Sequence, residues 1–302
     1  MDRIIGLSCG RIGGNCEILL KEALMGAEEL GVKGEIIRAM ELRVKPCKGC
    51  ETCTLLMAQG KEPKCAITDD DVPWILEKVL MTDAAFILAV PVYHLRANGY
   101  FECIHERMLP FVFGHPEILE KRKVAGLIAV GGGEPEWTPL GVTSANIFIQ
   151  HCWKLVDQMQ VNFCGRPGSV LLHPHYLERA RELGRNVARA MRLPIEEVKY
   201  MGEETEVSCP VCHGNVFKVP SAHPEIFCPI CWTRGQVSLE EGKLSVHWDE
   251  ETVQNPRFSP KGVATHVELI KDLQRQYYSN LERVKAEKAK YETWGKVLKP
   301  EA

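Results

Sequence analysis

Five short apolar runs, alternating with stretches of helical pattern, constrain this chain more than anything else in it. The runs fall at residues 4–7, 35–40, 84–90, 124–130 and 161–164. The first is followed by a helical pattern with Ile18, Leu19, Ala23, Leu24, Ala27 and Leu30 on one broad face, and further patterns occupy 72–80, 100–108, 140–156 and 176–191. Asp71 is placed to cap the helix at 72–80, with Pro73 in its first turn. Strands and helices in this alternation predict an α/β, doubly wound, five-stranded parallel sheet. The most apolar run, 84–90, belongs at its centre, where both faces are covered. Ligands of such sheets sit beyond the carboxyl ends of the strands, near the point where strand order reverses.

Three loops at that edge are unusual. Ser8-Cys9-Gly10-Arg11-Ile12-Gly13-Gly14-Asn15-Cys16 follows the first strand and opens a helix, where glycines and free N–H groups make a natural phosphate cradle. Pro91-Val92-Tyr93-His94-Leu95-Arg96-Ala97-Asn98-Gly99 follows the third, and Gly131-Gly132-Gly133-Glu134 the fourth. Each alone reads as a turn; three converging on one crevice carry much more weight. Beside such a crevice His94 and Glu134 are candidate proton donors.

The thirteen cysteines divide into groups. Cys47, Cys50 and Cys53, at Cys-x2-Cys-x2-Cys spacing, are followed by Cys65 after a polar loop, a pattern suited to an iron–sulfur cluster or zinc. Cys209-Pro-Val-Cys212 and Cys228-Pro-Ile-Cys231 match a zinc ribbon, with rubredoxin-type iron as the alternative and short strands expected at 216–219, 236–239 and 243–246. Cys9, Cys16, Cys103, Cys152 and Cys164 lie singly and read as buried free thiols.

Taken together, the three loops resemble the FMN-binding loops of flavodoxin-like NADPH-dependent FMN reductases, and the cysteine stretch 46–65 resembles their iron–sulfur flavoprotein branch. The resemblance covers residues 1 to about 195 and implies the flavodoxin-like strand order 2-1-3-4-5. It implies that Ser8, Arg11, Gly14, Asn15 and Cys16 surround the FMN phosphate. Pro91, Val92, Tyr93 and His94 would line the isoalloxazine edge, while Gly131, Gly132, Gly133 and Glu134 close the other side; Tyr93 and His94 are the candidate catalytic residues, although His94 and Arg96 replace the family's more common aromatic and small residues. It further implies a 4Fe-4S cluster on Cys47, Cys50, Cys53 and Cys65, and a homodimer or dimer of dimers. Cys16 stands where the family usually has Thr, and the gap from Cys53 to Cys65 is longer than usual.

The remaining features complete the expectations. Residues 1–198 read as the FMN-binding domain with the cysteine loop inserted, 199–250 as a zinc-ribbon module, and 251–302 as a helical segment. In the last, Val263, Val267, Ile270, Tyr277, Leu281, Val284 and Tyr291 form a heptad-like stripe on one long helix, interrupted by Gln274 and Lys288 and suited to packing across a dimer. A net charge of -3 and the few basic residues near the ribbon argue against nucleic acid as a partner. No apolar run reaches the roughly 20 residues of a membrane span, and the first residues lack a signal-peptide core, so a cytoplasmic protein with reduced or metal-bound cysteines is expected.

The function expected from these features is an iron–sulfur flavoprotein oxidoreductase. It would pass electrons between a ferredoxin-like donor, the cluster and FMN to a two-electron acceptor. One rival is an NAD(P)H-dependent FMN or quinone reductase with structural zinc only. The other is a non-enzymatic protein whose ribbon recruits a partner.

Overall fold

The computed structural model describes residues 2–220, 223–292, 295 and 298. Met1, and the positions of the expected 251–302 segment that fall between or beyond these ranges, lie outside the described residues. The chain begins β1 (Arg3–Ser8), α1 (Asn15–Glu28) and β2 (Lys33–Arg38), and the cysteine stretch then carries a short helix, α2 (Thr52–Ala58), before α3 (Val72–Leu80). It continues through β3 (Ala85–Tyr93), β4 (Arg96–Ala97), α4 (Gly99–His105), α5 (Leu109–Gly114), α6 (Glu117–Glu120) and β5 (Lys123–Gly131). α7 (Pro139–Cys152), β6 (Trp153–Val161) and α8 (Pro174–Ala190) complete the alternation.

The parallel strands run in the order β2-β1-β3-β5-β6, which is the expected 2-1-3-4-5 once the two-residue antiparallel β4 beside β3 is set aside. β3 is central and buried on both faces. Phe86, Leu88 and Val90 join the core on one side, while Ala85, Ile87 and Ala89 join the core on the other, as the period-two alternation of a strand requires. On the first side Phe86 stacks on Trp153, ring centres 4.7 Å apart, with Phe148 packed beside them. On the second side α1 and α8 approach so closely that a Cβ on Gly184 would stand 1.7 Å from the Ala23 carbonyl oxygen.

Several boundaries differ from expectation. The helix over 140–156 stops at Cys152, and the last parallel strand is Trp153–Val161 rather than 161–164. Phe148, Ile149 and Cys152 run straight into Trp153, Leu155 and Val156 with no Gly or Pro between them, so the change of period has no punctuation. Asp71 precedes α3 without capping it; its carboxylate instead accepts the Arg43 N–H at 2.7 Å.

Beyond α8 a second sheet forms in the order β7 (Glu225–Phe227), β8 (Arg234–Glu240) and β9 (Lys243–Trp248). Residues 216–219 make no strand; Lys218 alone bridges to Phe227. A short helix, α9 (Glu250–Gln254), leads to α10 (Pro260–Ser279), which Ser259 caps by accepting the Gly262 N–H. The single long helix expected here is divided at Asn280 into α10 and α11 (Leu281–Glu292). α10 lies along α2, with Gln274 Nε2 donating to Thr54 Oγ1 at 3.4 Å, and Val263 enters the main core. No helix among the described residues is long and apolar enough to cross a membrane.

Candidate functional site

The loops after β1, β3 and β5 meet above the carboxyl edge of the sheet, joined by the loop after β6. They enclose a cavity of about 420 Å³, within the range of small-molecule sites. Arg11, Gly14, Asn15, Cys16, Pro91, Val92, Tyr93, His94, Gly132, Gly133 and Glu134 line it. Ser8 and Gly131, also expected there, do not line it; Ser8 is fully buried.

Each loop is shaped by identifiable contacts. Gly13 has φ of 67° with open space where a side chain would begin, which lets the chain turn back into α1. Asn15 ties that turn down: its Nδ2 donates to the Cys164 and Arg166 carbonyls at 2.7 and 2.9 Å, and its Oδ1 accepts the Val170 N–H. Its amide is therefore a strut between the first and last loops rather than a free ligand. Asn98 Nδ2 donates to the Cys9 carbonyl at 2.7 Å, fastening the third-strand loop to the first. His94 and Leu95, with φ of 50° and 70°, form the tight turn from β3 into β4 and leave Tyr93 half exposed at the rim. The Arg11 guanidinium stands 5.9 Å from the centre of the Tyr93 ring.

Sequence reasoning missed Gly10, Val130, Trp137, Cys164, Gly165 and Pro167 in the lining. The Trp137 indole donates to the Val92 carbonyl at 3.2 Å, and a Cβ on Gly133 would meet that ring at 3.1 Å. A Cβ on Gly132 would stand 2.9 Å from the Gly165 Cα, so these glycines allow two backbones and an indole to close one wall. The isolated Trp between two Pro-bearing turns was the one signal available. The Cys16 thiol is pushed up to about 12 by burial, and burial also raises Cys164, so both remain protonated and neither is an activated nucleophile.

The cradle fits a flavin mononucleotide. The Ser8 hydroxyl is buried with no partner beneath a loop rich in glycine at a helix N-terminus, and one wall is aromatic. Beside it lies Glu17, 1% exposed, whose carboxylate accepts the Gly13 N–H at 2.8 Å and pairs with Lys21 and Arg38 at 2.6 and 2.9 Å. Burial alone would raise its carboxyl, but Lys21, the Gly13 N–H and Arg38 together hold it down at about 2. A depressed acid contributes stability above its unfolded value and loses it as pH falls toward the folded one. Glu17→Gln is therefore expected to lower stability by about 2 kcal/mol at neutral pH, the gap to wild type closing as pH falls from about 4 to 2. Urea unfolding at several pH values measures this; a gap that does not change with pH would contradict it.

The two cysteine groups differ sharply. Cys209, Cys212, Cys228 and Cys231 are all buried with their sulfurs within 4.8 Å of one another. Cys209 to Cys231 and Cys212 to Cys228 are each 3.4 Å. A tetrahedral ion with metal–sulfur bonds near 2.3 Å needs edges of about 3.8 Å, so the group fits one closed ion. Each Cys-x2-Cys pair is followed by a left-handed residue, His213 and Trp232, with φ of 58° and 65°. The first knuckle is fixed to the main sheet layer: Asn146 Nδ2 donates to the Cys212 carbonyl at 2.8 Å and Gln158 Nε2 to the His213 carbonyl at 2.9 Å. The His213 ring stacks on Tyr200 at 3.8 Å.

Cys47, Cys50, Cys53 and Cys65 form no such group among the described residues. Cys47 and Cys50 are exposed, Cys53 and Cys65 half-buried. Burial, with a contribution from neighbouring Cys47 and Cys50, raises the Cys53 thiol. The four thiols of the stretch 46–65 are a donor set of the kind that iron–sulfur clusters use.

A family model described as NADPH-dependent FMN reductase matches residues 3–138. An iron-sulfur flavoprotein of Methanocaldococcus jannaschii is 31% identical, the match covering 63% of this chain and 98% of that protein. A flavone synthase of Aspergillus candidus is 27% identical over 88% of each chain. A solved structure of a flavone reductase superimposes with a TM-score of 0.78 at 25% identity, covering 99% of this chain and 100% of that one. With its flavodoxin-like sheet, its three-loop cradle and these matches, the chain belongs to the NADPH-dependent FMN reductase family and is an FMN-dependent oxidoreductase.

Proposed function

We propose that this protein is an FMN-dependent reductase that delivers two electrons to a flat, conjugated acceptor of the flavone class. It would draw them through an iron–sulfur cluster on Cys47, Cys50, Cys53 and Cys65. The observation that carries the acceptor is the extent of the matches. The iron-sulfur flavoprotein of M. jannaschii aligns with 63% of this chain, whereas the flavone reductase aligns with 99% of it, ribbon and C-terminal helices included. The same contrast supports a division near 198, and the change from β9 to α9 a second near 250, with the later parts serving the acceptor.

Arg11, Gly14 and Cys16 would hold the FMN phosphate end, with the buried Ser8 hydroxyl beneath their loop, and Asn15 would keep that loop in register. Pro91, Val92, Tyr93 and His94 would border the ring system on one side, with Gly132, Gly133, Glu134 and Trp137 on the other and Gly131 behind them. FMN, when bound there, supplies hydride transfer and one-electron exchange. The Tyr93 ring at the open rim is suited to stacking on a planar acceptor. The His94 imidazole beside it is suited to passing a proton. Cys47 and Cys50 are exposed, which supports a one-electron carrier of the ferredoxin class as donor, with NADPH as the family's alternative. The closed, buried site of Cys209, Cys212, Cys228 and Cys231 would hold structural zinc. Exposed Leu269, Leu273 and Tyr277 on α10 support a homodimer.

The test is anaerobic. Protein reduced by a stoichiometric amount of dithionite is mixed with flavone, and the flavin absorbance and the conjugated band of flavone are followed together. Return of oxidised flavin with loss of the flavone band is expected. Reoxidation by a quinone but not by flavone would move the acceptor to the quinone class.

A further inference from the structure

Arg107 and Asp70 form an ion pair that has no part in the cavity. Arg107 is 2% exposed and Asp70 8%. The Arg107 Nη1 meets the Asp70 carboxylate and donates to the Lys45 carbonyl at 3.3 Å, while Nη2 donates to the Ile67 carbonyl at 2.8 Å. Asp70 Oδ2 also accepts the Lys45 N–H at 2.9 Å. Lys45 lies two residues before Cys47 and Ile67 two residues after Cys65, so one side chain ties both ends of the cysteine stretch together. The pair is buried yet incompletely satisfied: Arg107 Nε and Asp70 Oδ1 have no hydrogen-bond partner. Cys65 lies beside the same guanidinium. A buried ion pair is weak evidence for stability, because desolvation offsets much of the attraction, and its use here is to specify a geometry.

Resting on the reading that Cys47, Cys50, Cys53 and Cys65 hold a cluster, we propose that Arg107 is its positioning residue. It closes the loop so that Cys65 takes its place as the fourth ligand, and it keeps a guanidinium charge beside the Cys65 sulfur. Hydrogen bonds and positive charge at a ligating sulfur raise a cluster's reduction potential, and outer contacts of this kind slow ligand loss. The long interval between Cys53 and Cys65 then has a physical compensation: the clamp at its base replaces the restraint of close spacing.

Two variants of the full-length protein, prepared without oxygen, test this. Arg107→Lys keeps the charge and loses the two-armed fork. Arg107→Met combined with Asp70→Leu removes both charges, so that no unpaired ion is left buried. FMN and zinc contents equal to wild type show that each variant is folded. Iron release to a chelator is expected to be about 10–100-fold faster in both. The cluster midpoint potential is expected to move to more negative values in the double variant and less in Arg107→Lys. A folded double variant with wild-type iron release and an unmoved potential would overturn the proposal. Wild-type protein containing FMN and zinc but no iron would instead remove the cluster reading, and this proposal with it.

Discussion

Replacing Cys212 by Ala is expected to strip the metal from the ribbon and unfold it, the largest loss any single change here should produce. The ribbon has little core of its own: among buried residues, Ile230 is the one apolar side chain packed with the four cysteines. With structural zinc in the site, as proposed, its folding would come from the metal, whose binding in small zinc domains contributes about 10–16 kcal/mol. The Cys212 carbonyl also receives Asn146, a fully buried side chain of α7, so the docking of the ribbon on the main sheet fails with it. Zinc analysis should find the metal gone, and trypsin should cut at Lys218 and Arg234. FMN binding should survive, because the cradle draws on the loops after β1, β3, β5 and β6. A Cys212→Ala protein that keeps a protease-resistant ribbon would refute a structural metal.

The second large effect is expected at the contact of α1 with α8. A Cβ on Gly184 would lie 1.7 Å from the Ala23 carbonyl oxygen, and one on Gly26 would lie 2.2 Å from that of Arg181. These neighbours are backbone and cannot swing aside, so Gly184→Ala must push the helices apart. Overpacking of this kind costs about 3 kcal/mol or more. Because α1 carries the anion cradle at its N-terminus, FMN should also bind more weakly. Gly60→Ala is the control: its φ is 69° with nothing within 4 Å, so it should cost about 1 kcal/mol and leave FMN binding alone. Equal denaturation midpoints for the two variants would show that the helix contact is not tight.

The parts of this fold legible in the sequence were those with a strong period or a rigid chemical requirement. Residues 84–90 announced a central strand because a segment buried on both faces must be apolar throughout, and it is. The ribbon cysteines announced their site because four thiolates around one ion leave little freedom in spacing. Other features were set by contacts far apart in the chain and left no local mark. Nothing around Asn15 says that its amide will be taken by the Cys164 and Arg166 carbonyls. Nothing around Trp137 says that it will lie against Gly133 and under Val92. Asp71 had the composition of a helix cap, but the Arg43 N–H, 28 residues away, took its carboxylate. The end of α7 was missed for a different reason: helix and strand share an apolar run with no breaker between Cys152 and Trp153.

On the proposed reading, one chain holds FMN in the loop cradle, a redox cluster on the first cysteine group and a structural metal on the second. The most direct measurement is the visible spectrum of protein purified without oxygen, with flavin, iron, acid-labile sulfide and zinc determined on the same sample, for wild type and Cys50→Ser. Wild type should be brown and contain all four. Cys50→Ser should lose iron and sulfide while keeping FMN and zinc. A yellow wild-type protein with zinc and no iron would contradict the claim, and so would a colourless one without flavin.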